Sequence, residues 1–449
     1  MKKLTTGKMW LFAIGQLGWS MLSALITNWL VYIYQPDSAN VAAGQTLFIP
    51  QGRVIFGAVT IIGGITALGR LFDAVTDPWI ANLSDNCKNP RGRRIPFMRG
   101  IAVPFAIITV LVFWSPVNGV SVWNAVWLLV ALLLYYLCIT TYCTPYNALI
   151  PELSKTNNDR INISTFISVT FLLGSAIGYA APFIWGALEP SFGRVNAQRI
   201  TFASLAAVAL ICLLVPVFAI NEKDYITTQP AGGNAFVSLK KTFSNRQFRI
   251  FVGSDILYWI ALTIFQTGLA FFVTVLMALP ETMTTVLYVG MTLLSFACYV
   301  PVNLLAKRVG KKKLVLFGYC GLCAAYAITA VSGLFGIGGM VWGIAIIVVA
   351  SFPMAILGIL PQAIIADIAQ SESITTGENR EGMFYAARTF AFKLGQAAAM
   401  LLFTALASIG TNGTGYRVAA VVAVVICLAG ALVLSRYDEK KIFSVIGEK

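Results

Sequence analysis

Long apolar runs alternate with short polar stretches along this chain, twelve times over. About 20 apolar residues are what an α-helix needs to cross the hydrocarbon core of a bilayer. Runs of that order lie at roughly 9–34, 53–83, 97–117, 122–150, 161–187, 198–220, 248–279, 282–305, 314–334, 338–366, 381–409 and 415–436. The pattern predicts an all-α membrane protein with twelve transmembrane helices. The longest polar stretch, Asn221 to Gln247, contains a turn-rich cluster from Gln229 to Asn234 and divides the spans six and six. The expected organisation is an N-terminal six-helix bundle over 1–220, a cytoplasmic central loop over 221–247, a C-terminal six-helix bundle over 248–436 and a cytoplasmic tail over 437–449. Gln35 to Gln51 is a polar excursion on the opposite side.

The two halves repeat weakly. Span 2 is followed by PWIANLSD (Pro78–Asp85) and then RGRR (Arg91–Arg94). Span 8 is followed by PVNLLAKR (Pro301–Arg308) and then GKKK (Gly310–Lys313). Span 4 ends PYNALIPE (Pro145–Glu152) and span 10 ends PQAIIAD (Pro361–Asp367). Two six-span halves of like order are the layout of the major facilitator fold.

Composition agrees. Of 449 residues 58% are apolar and 11% charged, against about 25% charged in a soluble domain. The net charge of +14 would point to nucleic acid if it were clustered on one surface. It falls instead in alternate short loops: Lys2, Lys3 and Lys8, Lys88 to Arg99, Lys155 and Arg160, Lys240 to Arg249, Lys307 to Lys313, and Arg436 onward. That is the positive-inside pattern. It predicts no nucleic-acid partner, a multi-pass protein of the cytoplasmic cell membrane, and both termini in the cytoplasm. The apolar run after Met1 is too long for a signal peptide and no cleavage pattern follows it, so it reads as the first span. The eight cysteines are scattered, mostly in apolar segments, and read as small buried residues. There is no histidine. Any proton coupling must therefore use carboxylates or Lys, and histidine metal sites are excluded. No P-loop, HExxH or nucleophile-elbow motif occurs. Neither an enzyme nor a bound cofactor is expected, and the short tail holds no signalling domain that would favour a membrane sensor.

The candidate chemistry lies in the charges at membrane depth. Asp73 and Asp77 sit four residues apart in GRLFDAVTDP (Gly69–Pro78). On a helix that spacing puts both carboxylates on one face, roughly 5–6 Å apart at Cβ, with Arg70 one turn earlier. Each charge inside a bilayer costs on the order of 2.5–3.5 kcal/mol on insertion scales. Two carboxylates this close repel unless a cation or a proton joins them. With the Thr76 hydroxyl they form an oxygen-rich set suited to Na⁺ or Li⁺, or they share a proton. The alternative is a structural ion pair of Asp73 with Arg70 or Lys393, with Asp77 a solvated helix-end acid. Lys393 lies deep in span 11 with Thr389 one turn before it. It is either a counter-ion to an acid of the other half or a group that senses cation and touches substrate. Arg388 either snorkels or faces the pocket, and Asp255 either faces the pocket or is hydrated at the mouth. Glu152 and Asp367 end their spans and read as gating residues paired with Arg160 or Arg380. The polar faces of span 1 (Gln16, Trp19, Ser20, Ser23, Asn28) and span 7 (Trp259, Thr263, Gln266) occupy equivalent places in the halves. Aromatic rings beside amides suit a sugar; the alternative is helix packing.

The stretches Gly69–Pro78 and Pro145–Glu152, together with GENREG (Gly377–Gly382) followed by Lys393-Leu394-Gly395, resemble the signatures of the glycoside–pentoside–hexuronide:cation symporters, the family of melibiose permease. The resemblance spans nearly the whole chain. It implies alternating access with cation and substrate at a shared central site. Asp73 and Asp77 match the family's cation-binding aspartates, Thr76 and Thr140 match positions that help ligate Na⁺, and Lys393 matches its span-11 lysine. The chain also departs from the pattern. Cys143 stands where melibiose permease has a third acid, Ser20 where it has a sugar-binding acid, Asn147 where it has a tryptophan, and Ser168 where it has an arginine. The cation carboxylates are kept while the galactoside-reading groups are not, so melibiose is not the expected substrate.

The expectation is thus a secondary transporter that works as a monomer and couples Na⁺ or H⁺ to a sugar, glycoside or hexuronide. Asp73, Asp77, Thr76 and Thr140 would bind the cation. Trp19, Ser20, Asn147, Trp259, Gln266 and Lys393 would contact substrate. Arg70, Arg388, Lys393, Glu152 and Asp367 would couple or gate. The fold also hosts a lysophospholipid symporter with a similar aspartate pair, so a lipid-like substrate is the alternative, and a non-transporting sensor stands behind both.

Overall fold

The computed structural model describes residues 4–53, 57–85, 87, 89–90, 92–154, 157–225, 241–377, 381–410 and 412–446. Lys2, Lys3, Lys88, Arg91, Lys155, Lys240, residues 226–240 of the central loop, Glu378 to Arg380 and the side chain of Arg160 lie outside the described residues. The chain divides into two compact units, Met1–Ala231 and Gly232–Lys449.

The first unit contains α1 (Thr6–Tyr34), a short α2 (Ser38–Ala42), α3 (Ile61–Asp85), α4 (Ile95–Val112), α5 (Val122–Leu153), α6 (Asn157–Tyr179), α7 (Ala181–Phe192) and α8 (Arg194–Ala219). The second contains α9 (Arg246–Phe271), which runs into a π-helical turn at Phe272–Leu276, then α10 (Thr282–Ala297), α11 (Tyr299–Val309), α12 (Lys311–Val331), α13 (Gly339–Thr376), α14 (Glu381–Ala407), α15 (Thr414–Ser435) and α16 (Glu439–Ile446). Polar side chains mark several starts. Thr5 accepts from the Lys8 N–H, Ser121 from that of Trp123, and Asn245 from that of Phe248, each supplying one of the acceptors a helix N-terminus lacks.

Among the described residues, ten helical segments are long and apolar enough to cross a membrane. The pair α10 and α11, bent by 47° at their junction, makes an eleventh. The twelfth is α3. Its 25 residues are long enough to span, but Arg70, Asp73 and Asp77 lower its hydropathy. Two expected boundaries shift the most. Span 2 starts at Ile61 rather than near residue 53, and span 10 continues as helix to Thr376, ten residues past its last apolar stretch. Hydropathy marks where a helix leaves hydrocarbon, and α13 stays helical beyond that point.

The same helix pairs pack in each unit. In the first, α1 packs on α6 and α8, α3 on α5, and α4 on α5 and α8. In the second, α9 packs on α14 and α15, α10 on α13, and α12 on α13 and α15. Small residues allow the closest of these approaches. Gly174 and Gly178 of α6 leave no room for a Cβ against Ser20 and Ala24 of α1, and the Trp29 indole donates to the Gly178 carbonyl at 2.9 Å.

The repeat extends to the helix caps. Glu222, just after α8, accepts the backbone N–H groups of Arg93 at 2.9 Å, Arg94 at 2.9 Å and Ile95 at 3.1 Å, at the start of α4. Gly92 approaches that carboxylate with φ +122°, and no side chain would fit there. Glu439, after α15, accepts from the Lys311 and Lys312 N–H groups at 2.8 and 3.2 Å, at the start of α12. Replacing Glu222 by Ala leaves three backbone donors without this acceptor at a helix start. It is expected to cost about 2 kcal/mol, seen as a lowered unfolding midpoint in detergent. An unchanged midpoint would mean that the cap is dispensable.

Candidate functional site

In the first unit the carboxylate site is built by α3 and α5. Asp73 is 4% exposed, and the Thr140 hydroxyl of α5 donates to its Oδ1 at 2.6 Å. A short bond of this kind to a carboxylate is among the stronger hydrogen bonds. Thr76, also buried, donates to the carbonyls of Phe72 and Asp73 at 2.9 and 3.1 Å. Asp77 stands half-buried one turn beyond Asp73. Arg70 lies one turn before it, with its guanidinium 5.2 Å from the centre of the Tyr136 ring and its Nε buried without a hydrogen-bond partner. Gly69 makes that stacking possible, because a Cβ there would collide with the same ring. Tyr136 is thus part of the site, and nothing in its local sequence singles it out. Two carboxylates and two hydroxyls thus lie on two packed helices, the hard-oxygen groups that small monovalent cations take.

Of the residues expected to contact substrate, Trp19 is half-buried, tilted against Phe171 at 6.0 Å, with its indole N–H buried and without a hydrogen-bond partner. Asn147 is exposed on α5, seven residues past Thr140 and so on nearly the same helix face about 10 Å along. Ser20 corrects the expectation. It is 1% exposed, donates to the Leu17 carbonyl, and is wedged against Gly174. It is a packing residue between α1 and α6, the alternative reading of that polar face.

In the second unit Asp255 is neither hydrated nor at a mouth. It is 4% exposed, and Arg388 of α14 donates to both its carboxylate oxygens at 2.8 and 2.9 Å. Arg388 is itself buried and does not snorkel. The fork-to-carboxylate geometry joins α9 to α14 and neutralises the guanidinium. Lys393, five residues further on, is half-buried and about 140° round the same helix. On α9, Trp259 stacks on Phe392 at 4.6 Å. Thr263 is buried one turn on with its hydroxyl oxygen without a hydrogen-bond partner, and Gln266 is half-buried.

The two acids expected to gate are paired with basic residues of their own units. Glu152 meets Arg94 at 2.8 Å and Arg93 at 3.3 Å. Asp367 meets Lys311 at 2.6 Å. These basic partners belong to the repeated loops after spans 2 and 8. Cys320 and Cys323 stand three apart on α12, but Cys320 is exposed while Cys323 is buried with its thiol on the Val424 carbonyl at 3.7 Å. Among the described residues no group of three or more Cys, Asp or Glu side chains is placed to hold a metal ion.

Two units built from the same set of packed helix pairs, with charged residues inside apolar spans, define a membrane transporter of the major facilitator class. The xylose transporter of Escherichia coli, in an inward-open conformation, superposes with a TM-score of 0.68 over 98% of each chain at 15% identity. The sequence profile of the family described as MFS/sugar transport protein matches residues 11–438, and the chain belongs to that family. It is a multi-pass membrane transporter and not an enzyme. An uncharacterized symporter of Synechocystis sp. is 23% identical over 427 residues, covering 76% of this chain and 77% of that one. An isoprimeverose transporter of Lactiplantibacillus pentosus is 24% identical, over 59% of this chain and 55% of its own length.

Proposed function

We propose that the protein carries a sugar or glycoside across the cytoplasmic membrane together with Na⁺ or H⁺, by alternating access. One observation carries the coupling: a buried aspartate in a membrane-spanning helix, held by the Thr140 hydroxyl, with a second carboxylate one turn away. A cation or proton there offsets the charge of the pair, and the loaded carrier then reorients at lower cost than the charged one. Only the carrier with both ligands, or with neither, reorients readily. A coupling free energy of about 1–3 kcal/mol between the ligands is enough. The names of the relatives, a symporter and an isoprimeverose transporter, support sugar symport. The basic loops support cytoplasmic termini.

Trp19, Trp259, Gln266, Asn147 and Lys393 are the proposed substrate contacts. Lys393, half-buried on α14, is the cation proposed to meet an acidic or hydroxyl-rich ligand. Lys393→Ala is expected to cut initial uptake at least about tenfold with membrane insertion unchanged. Full activity in that variant would reduce Lys393 to a counter-ion.

The function is tested by uptake into proteoliposomes of a panel of neutral glycosides, pentosides and glucuronides, under an inward Na⁺ gradient, an inward H⁺ gradient, or neither. Accumulation of one sugar class under one gradient is the expected result. Accumulation of a lysophospholipid and of no sugar would overturn it.

A further inference from the structure

At the basic end of the first unit, α4 and the last turns of α8 part to leave a groove of ≈ 810 Å³. Its lining combines Arg99, Lys223 and Asn221 with Gly100, Val217 and Phe218. A second, apolar furrow of ≈ 510 Å³ continues along α8 over Ile211 and Val215, and the two share Phe218 and Ala219. From Ile211 to Phe218 is roughly 10 Å of helix. Ile211 is 66% exposed and Phe218 69%, on a helix that spans the membrane, so this face meets hydrocarbon.

The two cations are unusual for this chain. Arg99 and Lys223 are exposed and form no ion pair among the described residues; the Arg99 guanidinium rests 5.6 Å from the centre of the Phe218 ring. The neighbouring Glu222 is buried and already accepts three backbone N–H groups, and Asp224 does not line the groove. The groove therefore presents positive charge at the level of the headgroups and continues into an apolar furrow at acyl-chain depth.

We propose that this groove binds one anionic glycerophospholipid, its phosphate at Arg99 and Lys223 and one acyl chain along the Ile211–Phe218 face of α8. A free phosphate would engage the cations and leave the furrow unused. A zwitterionic lipid would fill the furrow, but its own ammonium offsets the attraction. The site requires only that the protein sits in a bilayer, so its failure would leave the transport reading untouched.

Gly100 supplies a variant that acts by volume alone. Gly100 lines the groove and a Cβ there meets nothing within 4 Å, so Gly100→Leu adds volume at the groove wall without removing a charge. The experiment is native mass spectrometry of the purified full chain, titrated separately with dioleoylphosphatidylglycerol, dioleoylphosphatidylcholine and glycerol 3-phosphate. Wild type is expected to retain one phosphatidylglycerol about 25-fold more tightly than phosphatidylcholine. Each cation lost should weaken phosphatidylglycerol about fivefold, so the Arg99→Gln/Lys223→Gln double variant falls about 25-fold, to the level of phosphatidylcholine. Gly100→Leu should weaken both lipids, and it carries the test if the charge variants unfold. Unchanged phosphatidylglycerol binding in the double variant and in Gly100→Leu would overturn the proposal. So would displacement of phosphatidylglycerol by glycerol 3-phosphate at equal concentration, which would assign the cations to a free phosphate.

Discussion

Asp77→Asn is expected to abolish cation-driven accumulation of sugar while exchange of sugar across the membrane persists. The amide keeps the size and hydrogen-bonding reach of the carboxylate and removes its charge. A cation that needs both carboxylates then loses one of its two anionic ligands, while sugar-binding groups on other helices are untouched. Coupling between ligands in such carriers is worth about 1–3 kcal/mol, or 5–150-fold in affinity. Losing it should bring accumulation down to equilibration, with the apparent affinity for the cation weakened by a factor within that range. Asp73→Asn should do the same and also disturb the Thr140 bond, so Asp77 gives the cleaner comparison. Cation dependence like that of wild type in Asp77→Asn would remove α3 as the coupling site.

Arg388→Ala is expected to be the most destabilising single change in the second unit. It leaves Asp255 buried and charged without the fork that holds it. Breaking a buried pair from one side costs about 3–5 kcal/mol. That corresponds to a fall of roughly 10 °C in unfolding midpoint for a unit of this size. Replacing both partners by apolar residues of similar volume, as in Asp255→Leu/Arg388→Met, should recover most of the loss, because no unpaired charge is left. The pair is therefore expected to fix the joint between α9 and α14 without adding much net stability of its own. A single Arg388→Ala variant as stable as wild type would show that water reaches Asp255.

Much of this arrangement is legible in the chain because membranes impose simple rules. Apolar run length marks the spans, least sharply at the charged α3, and the four-residue spacing of Asp73 and Asp77 places them on one face before any fold is known. What eludes local reading is partnership at a distance. Asp255 and Arg388 are each visible as charges at depth, yet the pairing joins residues 133 apart, and separately each reads as hydrated or snorkelling. Glu222 looks like an ordinary loop acid, although it caps a helix whose start lies well over a hundred residues earlier. A hint was there: a Gly and basic loop in each half is answered by a Glu after the sixth span of that half. Ser20 shows the limit of helix-face arguments, since a small polar residue suits both a binding surface and a close helix contact. Only the glycine opposite it, Gly174, decides between them.

The central claim is that sugar and cation move together, and coupling of this kind is reciprocal. The most direct measurement imposes a sugar gradient on proteoliposomes with no initial ion gradient and follows ion entry, by ²²Na⁺ uptake and by an internal pH dye. The account predicts that the sugar gradient drives one of these ions inward in wild type and neither in Asp77→Asn. Dissipation of the sugar gradient in wild type with no movement of either ion would make the protein a uniporter and contradict the account.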